Sequence, residues 1–307
     1  MIVYRELSSL CSDLELSPKL LYSLSNSIEK HYRKVKIPKK DGARRTLMVP
    51  DELLKTVQRR IYERLLLAMP VSFYASSYVP GRGIRRNAQM HVGKPVLLKM
   101  DISHFFDSVL YKDVKEKAFP AEIYAENLRV LLTTLCYGVN ELPQGAVTSP
   151  AISNLILYDF DTKVGNFCRE AGISYSRYCD DMSFSGEFEP GEVIRFVTET
   201  LRGMGFFVNR RKTVVIRQGQ RQTVTGLTVN ARLNTPPAYR KKIRQEMYYI
   251  RKYGLEDHLQ HRKDREQKDR AAYLRGLLGR IGYCLQICPE DEEMKAYRKE
   301  LTEYDGK

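Results

Sequence analysis

Residues 175–186 read YSRYCDDMSFSG, two short segments on either side of an acidic pair, Asp180 and Asp181. On a flat strand, neighbouring side chains point to opposite faces of the sheet, whereas on a tight turn two adjacent carboxylates can converge. The string therefore predicts a hairpin with acids at its tip. An isolated Asp-Asp pair in a hairpin is usually only a solvated turn, so the surroundings decide. Upstream, residues 95–101, PVLLKMD, form a nearly continuous apolar run ending in Asp101, as a central strand covered on both faces would. Asp101, Asp180 and Asp181 can then form a nest of three carboxylates, hard oxygen donors suited to two magnesium ions. Such a pair of ions stabilises the attacking and leaving oxygens of an in-line displacement at phosphorus, and it keeps clustered carboxylates ionised.

Four strings in order carry a resemblance to reverse transcriptases. Tyr178-Cys179-Asp180-Asp181 resembles their YxDD box, and residues 101–106, DISHFF, resemble the motif of their first catalytic aspartate. Residues 142–150, LPQGAVTSP, lie between the two as the family's glutamine-glycine motif does. Residues 205–213, GFFVNRRKT, follow at the place of its glycine and lysine motif. The likeness covers residues 36–230; Cys179 stands where Ala is frequent and Val147 where many relatives have Pro, and neither change removes a metal ligand. The resemblance implies an α+β right-hand polymerase: N-terminal helices and fingers over residues 1–94, a ferredoxin-like palm over 95–230, and a helical thumb over 231–307. A helical fingers segment is expected as an insertion in the palm, at about residues 111–147.

Residue roles follow from the same resemblance. Asp101, Asp180 and Asp181 serve catalysis and the two Mg2+ ions; Lys39 and Arg45, on the fingers hairpin, contact the triphosphate of the incoming dNTP. An Arg suits that task because its planar fork holds phosphate oxygens in two directions, although an exposed Arg at a hairpin tip is usually just solvated. Gln144 corresponds to a residue near the sugar and base of the nucleotide. Lys212 corresponds to a general acid for pyrophosphate, with Arg210 and Arg211 as open alternatives. Phe106 stands where the family places an aromatic that blocks a ribose 2′-hydroxyl, which implies deoxynucleotide substrates. A Phe pair after a strand is more commonly core, the reading that suits Phe105.

Outward from these strings the organisation is regular. Ser17-Pro18 signals a helix start, and residues 32–38, YRKVKIP, read as a strand. Asp41-Gly42 sits between alternating strands as a hairpin signal, its tip carrying Lys39, Lys40, Arg44 and Arg45. Pro50-Asp51 opens a helix with Leu54, Val57, Ile61 and Leu65 on one face. Helices are expected at residues 111–119 and 125–137, and one continuous helix over residues 152–172. Beyond Pro236-Pro237 the chain is charge-rich and helical, with no strand signal.

Composition agrees with a polyanionic partner: 51 Lys and Arg oppose 37 Asp and Glu, a formal charge of +14 over 307 residues. The six cysteines show no CxxC spacing, so neither disulfides nor structural zinc are expected. The first residues, MIVYRELSSL, carry charge early and no segment is long and apolar enough to span a bilayer; the expected location is the cytoplasm, with no membrane partner.

Two further strings resemble elements of bacterial retron enzymes: residues 87–91, NAQMH, their NAxxH, and residues 224–226, VTG, their VTG. Retron enzymes start DNA from a 2′-hydroxyl of an internal guanosine in their own structured non-coding RNA, giving branched RNA-linked single-stranded DNA (msDNA). The implied partners are that RNA and its msDNA product, dNTPs, host ribonuclease H, and an effector protein of an antiphage defence system. Asn87, His91, Val224, Thr225 and Gly226 are expected to serve RNA or DNA binding, together with Lys241, Lys242, Arg244, Tyr248 and Arg251 of the tail. Cations and tyrosines at helical spacing suit phosphate contact with base stacking, and equally suit a solvated amphipathic helix. The rival readings are a reverse transcriptase of another class, intron-encoded or diversity-generating, and a catalytically silent nucleic-acid scaffold, which the presence of all three acids disfavours. An RNA polymerase is disfavoured by Phe106.

Overall fold

The computed structural model describes residues 2–38, 42, 44–138, 140–261 and 269–305. The tip of the expected fingers hairpin, with Lys39, lies outside the described residues. Two compact units divide the chain: one takes the residues up to Gly83 and Val96–Val215, the other Ile84–Pro95 and everything from Ile216 onward. These boundaries differ from those expected near residues 94 and 230, because the segment Ile84–Pro95 folds with sequence more than a hundred residues downstream. Among the described residues no helix is long and apolar enough to cross a membrane.

In the first unit, β1 (Tyr32–Pro38) and β2 (Arg44–Pro50) pair antiparallel, in register from Tyr32↔Pro50 to Pro38↔Arg44. The helix Glu52–Ile61 follows at once, capped by Asp51, whose Oδ1 accepts from the Leu54 N–H at 2.9 Å. Leu54, Val57, Ile61 and Leu65 are all buried, as their spacing requires. The main sheet has the order β4-β5-β3-β6, built from β3 (Val96–Ser103), β4 (Ser174–Tyr178), β5 (Asp181–Gly186) and β6 (Phe207–Val208). Every neighbour in that order is antiparallel. A fifth strand, β7 (Val214–Arg217), also pairs with β3.

The central place of β3 explains its continuous apolar run: only Lys99 and Ser103 are partly exposed along its length. Its Leu98, Met100 and Ile102 share one core with Met182 and Phe184 of β5 and with Val193, Val197 and Leu201 of the helix Pro190–Gly203. Tyr175 and Phe184 are register partners whose rings stack 4.9 Å apart, a cross-strand pair that pins β4 on β5. The helix expected over residues 152–172 is two helices, Ser149–Ile156 and Tyr158–Glu170, interrupted at buried Leu157. The first packs on the helix Tyr111–Ala118 and the second on β4 and the helix Pro190–Gly203, so one straight rod could not serve both. The apolar period runs through the break and hides it.

The second unit has its own core. Helices Pro237–Tyr253, Leu255–His261, Arg270–Ile287 and Glu292–Asp305 bury Ile243, Met247, Ile250, Tyr273, Leu277, Ile281, Met294 and Leu301 together. Beside them a small hairpin, β8 (Thr223–Val224) with β9 (Leu227–Thr228), packs on the helix Ile84–Gln89. Its two-residue turn holds both Thr225 (φ 45°) and Gly226 (φ 81°) in the left-handed region, a geometry that Gly adopts without strain.

Candidate active site

The acids of the two motifs meet because β3 and β5 are neighbours. Asp101 and Asp181 are register partners, and Asp180 occupies the two-residue turn that joins Tyr178 to Asp181. The Ile102 N–H donates to the Asp180 carbonyl at 3.1 Å, which carries the ladder one step into that turn. Cys179, the other turn residue, has φ 60°, a strained conformation for a side chain with a Cβ, costing roughly 1–2 kcal/mol. Asp101 is almost wholly buried and Asp180 partly so, whereas Asp181 is exposed.

All three line a cleft of about 800 Å3 within the first unit, shared with Arg44, Arg45, Tyr78, Phe106, Gln144 and Lys212. Phe105 is buried in the core and Phe106 is half-buried against it; both line this cleft, and the two rings meet edge to face at 5.4 Å. The Phe106 carbonyl accepts from the Leu142 N–H at 3.1 Å, which ties the loop 142–148 to the end of β3. Gln144, on that loop, donates to Asp107 Oδ1 at 3.3 Å. Gly145 is where the loop crosses β2: a Cβ there would stand 2.5 Å from the Met48 carbonyl oxygen, so no larger residue fits unless the backbone moves. Of the three cations left open in the sequence, Lys212 reaches the acids, its Nζ 2.8 Å from Asp101 Oδ2. The short turn Arg210–Lys212 is set by the Asn209 N–H, which donates to the Asp101 carbonyl at 2.8 Å, while Arg210 lines a different cavity.

The electrostatics of the cleft are those of crowded anions. Although Asp181 is exposed as a residue, the cleft walls strip part of the hydration from its carboxyl, and this, followed by repulsion from Asp180 and Asp101, pushes it up to about 6. Asp180 is raised for the same reasons, burial first and Asp101 second. Lys212 is raised in turn by its hydrogen bond to Asp101. A divalent cation fits this donor set chemically: oxygen ligands only, and a repulsion that positive charge relieves. As the side chains stand, Asp101 is turned to Lys212, and among the described residues no three His, Cys, Asp or Glu side chains alone enclose an ion. Phosphate oxygens and water would complete its coordination.

Because these pKa values lie above those of the unfolded chain, the metal-free fold binds more protons than the unfolded chain between the ordinary Asp range and about 6. Stability therefore falls as pH rises through that window. Asp181→Asn removes one of the repelling charges, so at pH 7 in chelator the variant should melt about 1–2 °C above the parent. Calorimetry should show the gap closing as pH is lowered to about 4, where the Asp181 carboxyl is protonated in the fold. A gap that is reversed, or unchanged at low pH, contradicts the crowding.

The profile of the family described as reverse transcriptase (RNA-dependent DNA polymerase) matches residues 37–245. The retron Mx65 reverse transcriptase of Myxococcus xanthus is 33% identical over 302 residues, covering 91% of this chain and 67% of that protein. The chain belongs to the retron reverse transcriptases. The retron Mx162 enzyme of the same organism is 34% identical over 68% of this chain and 49% of its own length, and the retron Ec83 enzyme of Escherichia coli is 32% identical over 65% and 68%. This reverse transcriptase thus spans about two thirds of the first relative and half of the second. Among solved structures, a telomerase from Candida Tropicalis in complex with a telomeric RNA fragment covers 89% of the chain at TM-score 0.49 and 14% identity. The fold is that of the right-hand polymerases, and the enzyme is an RNA-directed DNA polymerase.

The structure brings the two retron strings of this reverse transcriptase together within the second unit. Thr225 Oγ1 donates to the Ile84 carbonyl at 3.3 Å, and the Gly93 N–H donates to the Val229 carbonyl at 2.9 Å. Asn87, His91 and Val224, which the sequence suggests for nucleic-acid contact, are buried side chains. Burial pushes the His91 imidazole down to about 3, so it is neutral. These residues lie where the helix Ile84–Gln89 packs on the β8–β9 hairpin and its flanking turn. Arg244 and Arg251 are likewise engaged, in ion pairs at 2.7 Å with Glu293 and Glu300 that hold the helix Glu292–Asp305 to the helix Pro237–Tyr253. Lys241, Lys242 and Tyr248 stand exposed, with Lys252 5.7 Å from the Tyr248 ring centroid.

Sequence reasoning missed the supports of the acidic turn. Tyr78 (φ 59°) and Ser77 come from the irregular stretch after the first long helix, and Arg177, Asn154 and Asp161 are interior polar residues. One signal was present: Arg177 lies in a strand whose three central residues, Tyr175, Ser176 and Arg177, are buried, and a charge in such a place needs a partner.

Proposed function

We propose that this reverse transcriptase copies a structured RNA into msDNA, starting from the 2′-hydroxyl of an internal guanosine, with two Mg2+ ions held by Asp101, Asp180 and Asp181. The observation that carries the reading is the register of β3 on β5, which sets Asp101 opposite Asp181 with Asp180 in the adjoining turn. When bound, the ions supply positive charge to the attacking hydroxyl, the triphosphate and the departing pyrophosphate. Arg45, with its neighbour Arg44 in the same cleft, grips the triphosphate, and Lys39 shares that task. Phe106 closes the space a ribose 2′-hydroxyl needs, and Gln144 packs beside the sugar and base. Lys212, kept protonated by Asp101, stands ready to give a proton to pyrophosphate.

The second unit serves the RNA. Lys241, Lys242 and Tyr248 offer phosphate contact and a stacking face, while Arg244 and Arg251 shape the helix that presents them. Asn87, His91, Val224, Thr225 and Gly226 fix the fold of that surface from within. A bound RNA would bring one internal 2′-hydroxyl to the acids, so that proximity replaces a separate primer. The wider setting is a cytoplasmic antiphage system with an effector protein, and host ribonuclease H trims the template.

The test is to express the protein with its own locus and purify it with its nucleic acid. The copurified DNA should be joined at its 5′ end to RNA through a 2′-5′ linkage, and so should shift on a denaturing gel after debranching enzyme. DNA with a free or 3′-5′-linked 5′ end would overturn the branched product and leave the polymerase in place.

A further inference from the structure

The strained turn that carries Asp180 is held from behind by a closed ring of buried hydrogen bonds. The Cys179 N–H donates to Ser77 Oγ at 2.6 Å, and the Ser77 carbonyl accepts from Asn154 Nδ2 at 2.9 Å. Asn154 Oδ1 accepts from Arg177 Nη1 at 3.1 Å, and the same Nη1 donates to the Cys179 carbonyl at 2.9 Å. Both polar backbone groups of the left-handed residue are thus fixed by side chains from separate parts of the chain. Arg177 is itself oriented by Asp161, through Nε to Oδ1 at 2.8 Å and Nη2 to Oδ2 at 2.7 Å, and the Tyr175 hydroxyl donates to the same Oδ1 at 2.8 Å. Ser77, Asn154, Asp161 and Arg177 are each no more than 2% exposed.

The fork on Asp161 explains why an Arg is needed. Two of its nitrogens are spent on the carboxylate, which leaves Nη1 aimed at the turn in a fixed direction. A Lys could neutralise Asp161 but could not also reach the Cys179 carbonyl along that line. The arrangement is more specific than general stabilisation requires, because its two free ends converge on one peptide residue, the one immediately before Asp180.

We propose that Ser77 and Arg177, linked by Asn154 and oriented by Asp161, are positioning residues that set the Cys179 turn and thereby the place of the Asp180 carboxylate relative to Asp101. The proposal rests on the reading of Asp180 as a metal-holding acid. It deepens that reading by naming the side chains that make the geometry reproducible from turnover to turnover. A misplacement of about 1 Å in such a site can reduce the rate by roughly 10²-fold.

The experiment uses the purified full chain, with primer extension on an RNA template for kcat and the dNTP KM, and Mn2+ binding followed by electron paramagnetic resonance. Ser77→Ala removes only a hydroxyl and should lower kcat roughly 10-fold, with the dNTP KM within about twofold of the parent and Mn2+ bound several-fold more weakly. Arg177→Lys should lower kcat roughly 10²-fold with the same pattern. Ser77→Ala keeps the test decisive even where the buried charge pair makes Arg177→Lys fold poorly. A folded Ser77→Ala protein with parental kcat and parental Mn2+ binding overturns the proposal, as does a loss of activity that disappears entirely on cooling below the variant's melting range. Asp180→Asn, run alongside, separates the two ideas. If it retains both Mn2+ binding and extension, the metal reading fails; if it loses both while Ser77→Ala loses neither, the positioning role alone fails.

Discussion

Asp180→Asn and Asp101→Asn are each expected to lower DNA synthesis on a primed RNA template by roughly 10³-fold or more, while binding of RNA stays within about twofold of the parent. An amide keeps the shape of the side chain but offers a hard cation a neutral oxygen, and the repulsion seen between Asp180, Asp181 and Asp101 shows how much negative charge the cleft concentrates. The two changes reach the same end by different routes. At Asp180 the substitution relieves a crowded anion, so the fold is spared. At Asp101, which is almost wholly buried, it also removes the negative charge that faces Lys212 at 2.8 Å and leaves only an amide oxygen to accept from it. RNA binding should be spared in both, since the proposed RNA contacts, the exposed Lys241 and Lys242, lie in a separate unit. Extension assays at saturating magnesium and dNTP, paired with gel-shift titrations, decide the matter. Either purified variant retaining a tenth or more of parental extension would remove that residue from the chemistry.

Phe106→Ala is expected to reduce the preference for deoxynucleotides over ribonucleotides by roughly 10²-fold, mainly through faster ribonucleotide use. As the proposed gate, the ring would exclude by bulk rather than by any bond to the sugar. The ring is buttressed for such a role, lying edge to face on Phe105, which is 2% exposed and itself packed against Phe206. Its backbone carbonyl holds the loop that bears Gln144, and that bond survives the substitution. Deoxynucleotide use should therefore persist. The measurement is kcat/KM for dNTP and rNTP in both proteins; an unchanged ratio would reduce Phe106 to a residue of the core.

What was legible in the sequence was what is decided locally. The apolar run before Asp101 could only be a covered strand, the segments around Cys179-Asp180 could only pair across a short turn, and Asp51 announced the helix it caps. The break at Leu157 was not legible, because both helices keep the same apolar period while packing on different neighbours. Pairings between distant residues were equally silent. Nothing near Arg244 or Arg251 foretells Glu293 and Glu300, each 49 residues away, and a cation that looks free for phosphate proves to be holding two helices together. The ring behind the turn draws Ser77, Asn154 and Arg177 from three places, and none of them carries a local pattern. Asn87 and His91 read as polar and hence exposed, yet the interior they occupy is created by a hairpin far downstream.

That last arrangement sets an order of events at the ribosome. The segment Ile84–Pro95 emerges roughly 120 residues before the sequence from Ile216 onward that covers it, which at ordinary synthesis rates is a wait of about 6–24 s. Through that interval the downstream hairpin that packs on the helix bearing Ala88 has not been made, whereas β3 follows directly. The nascent enzyme is thus a chain with one early piece held in reserve. The second unit cannot be completed until the acids on β3 and β5 have been made.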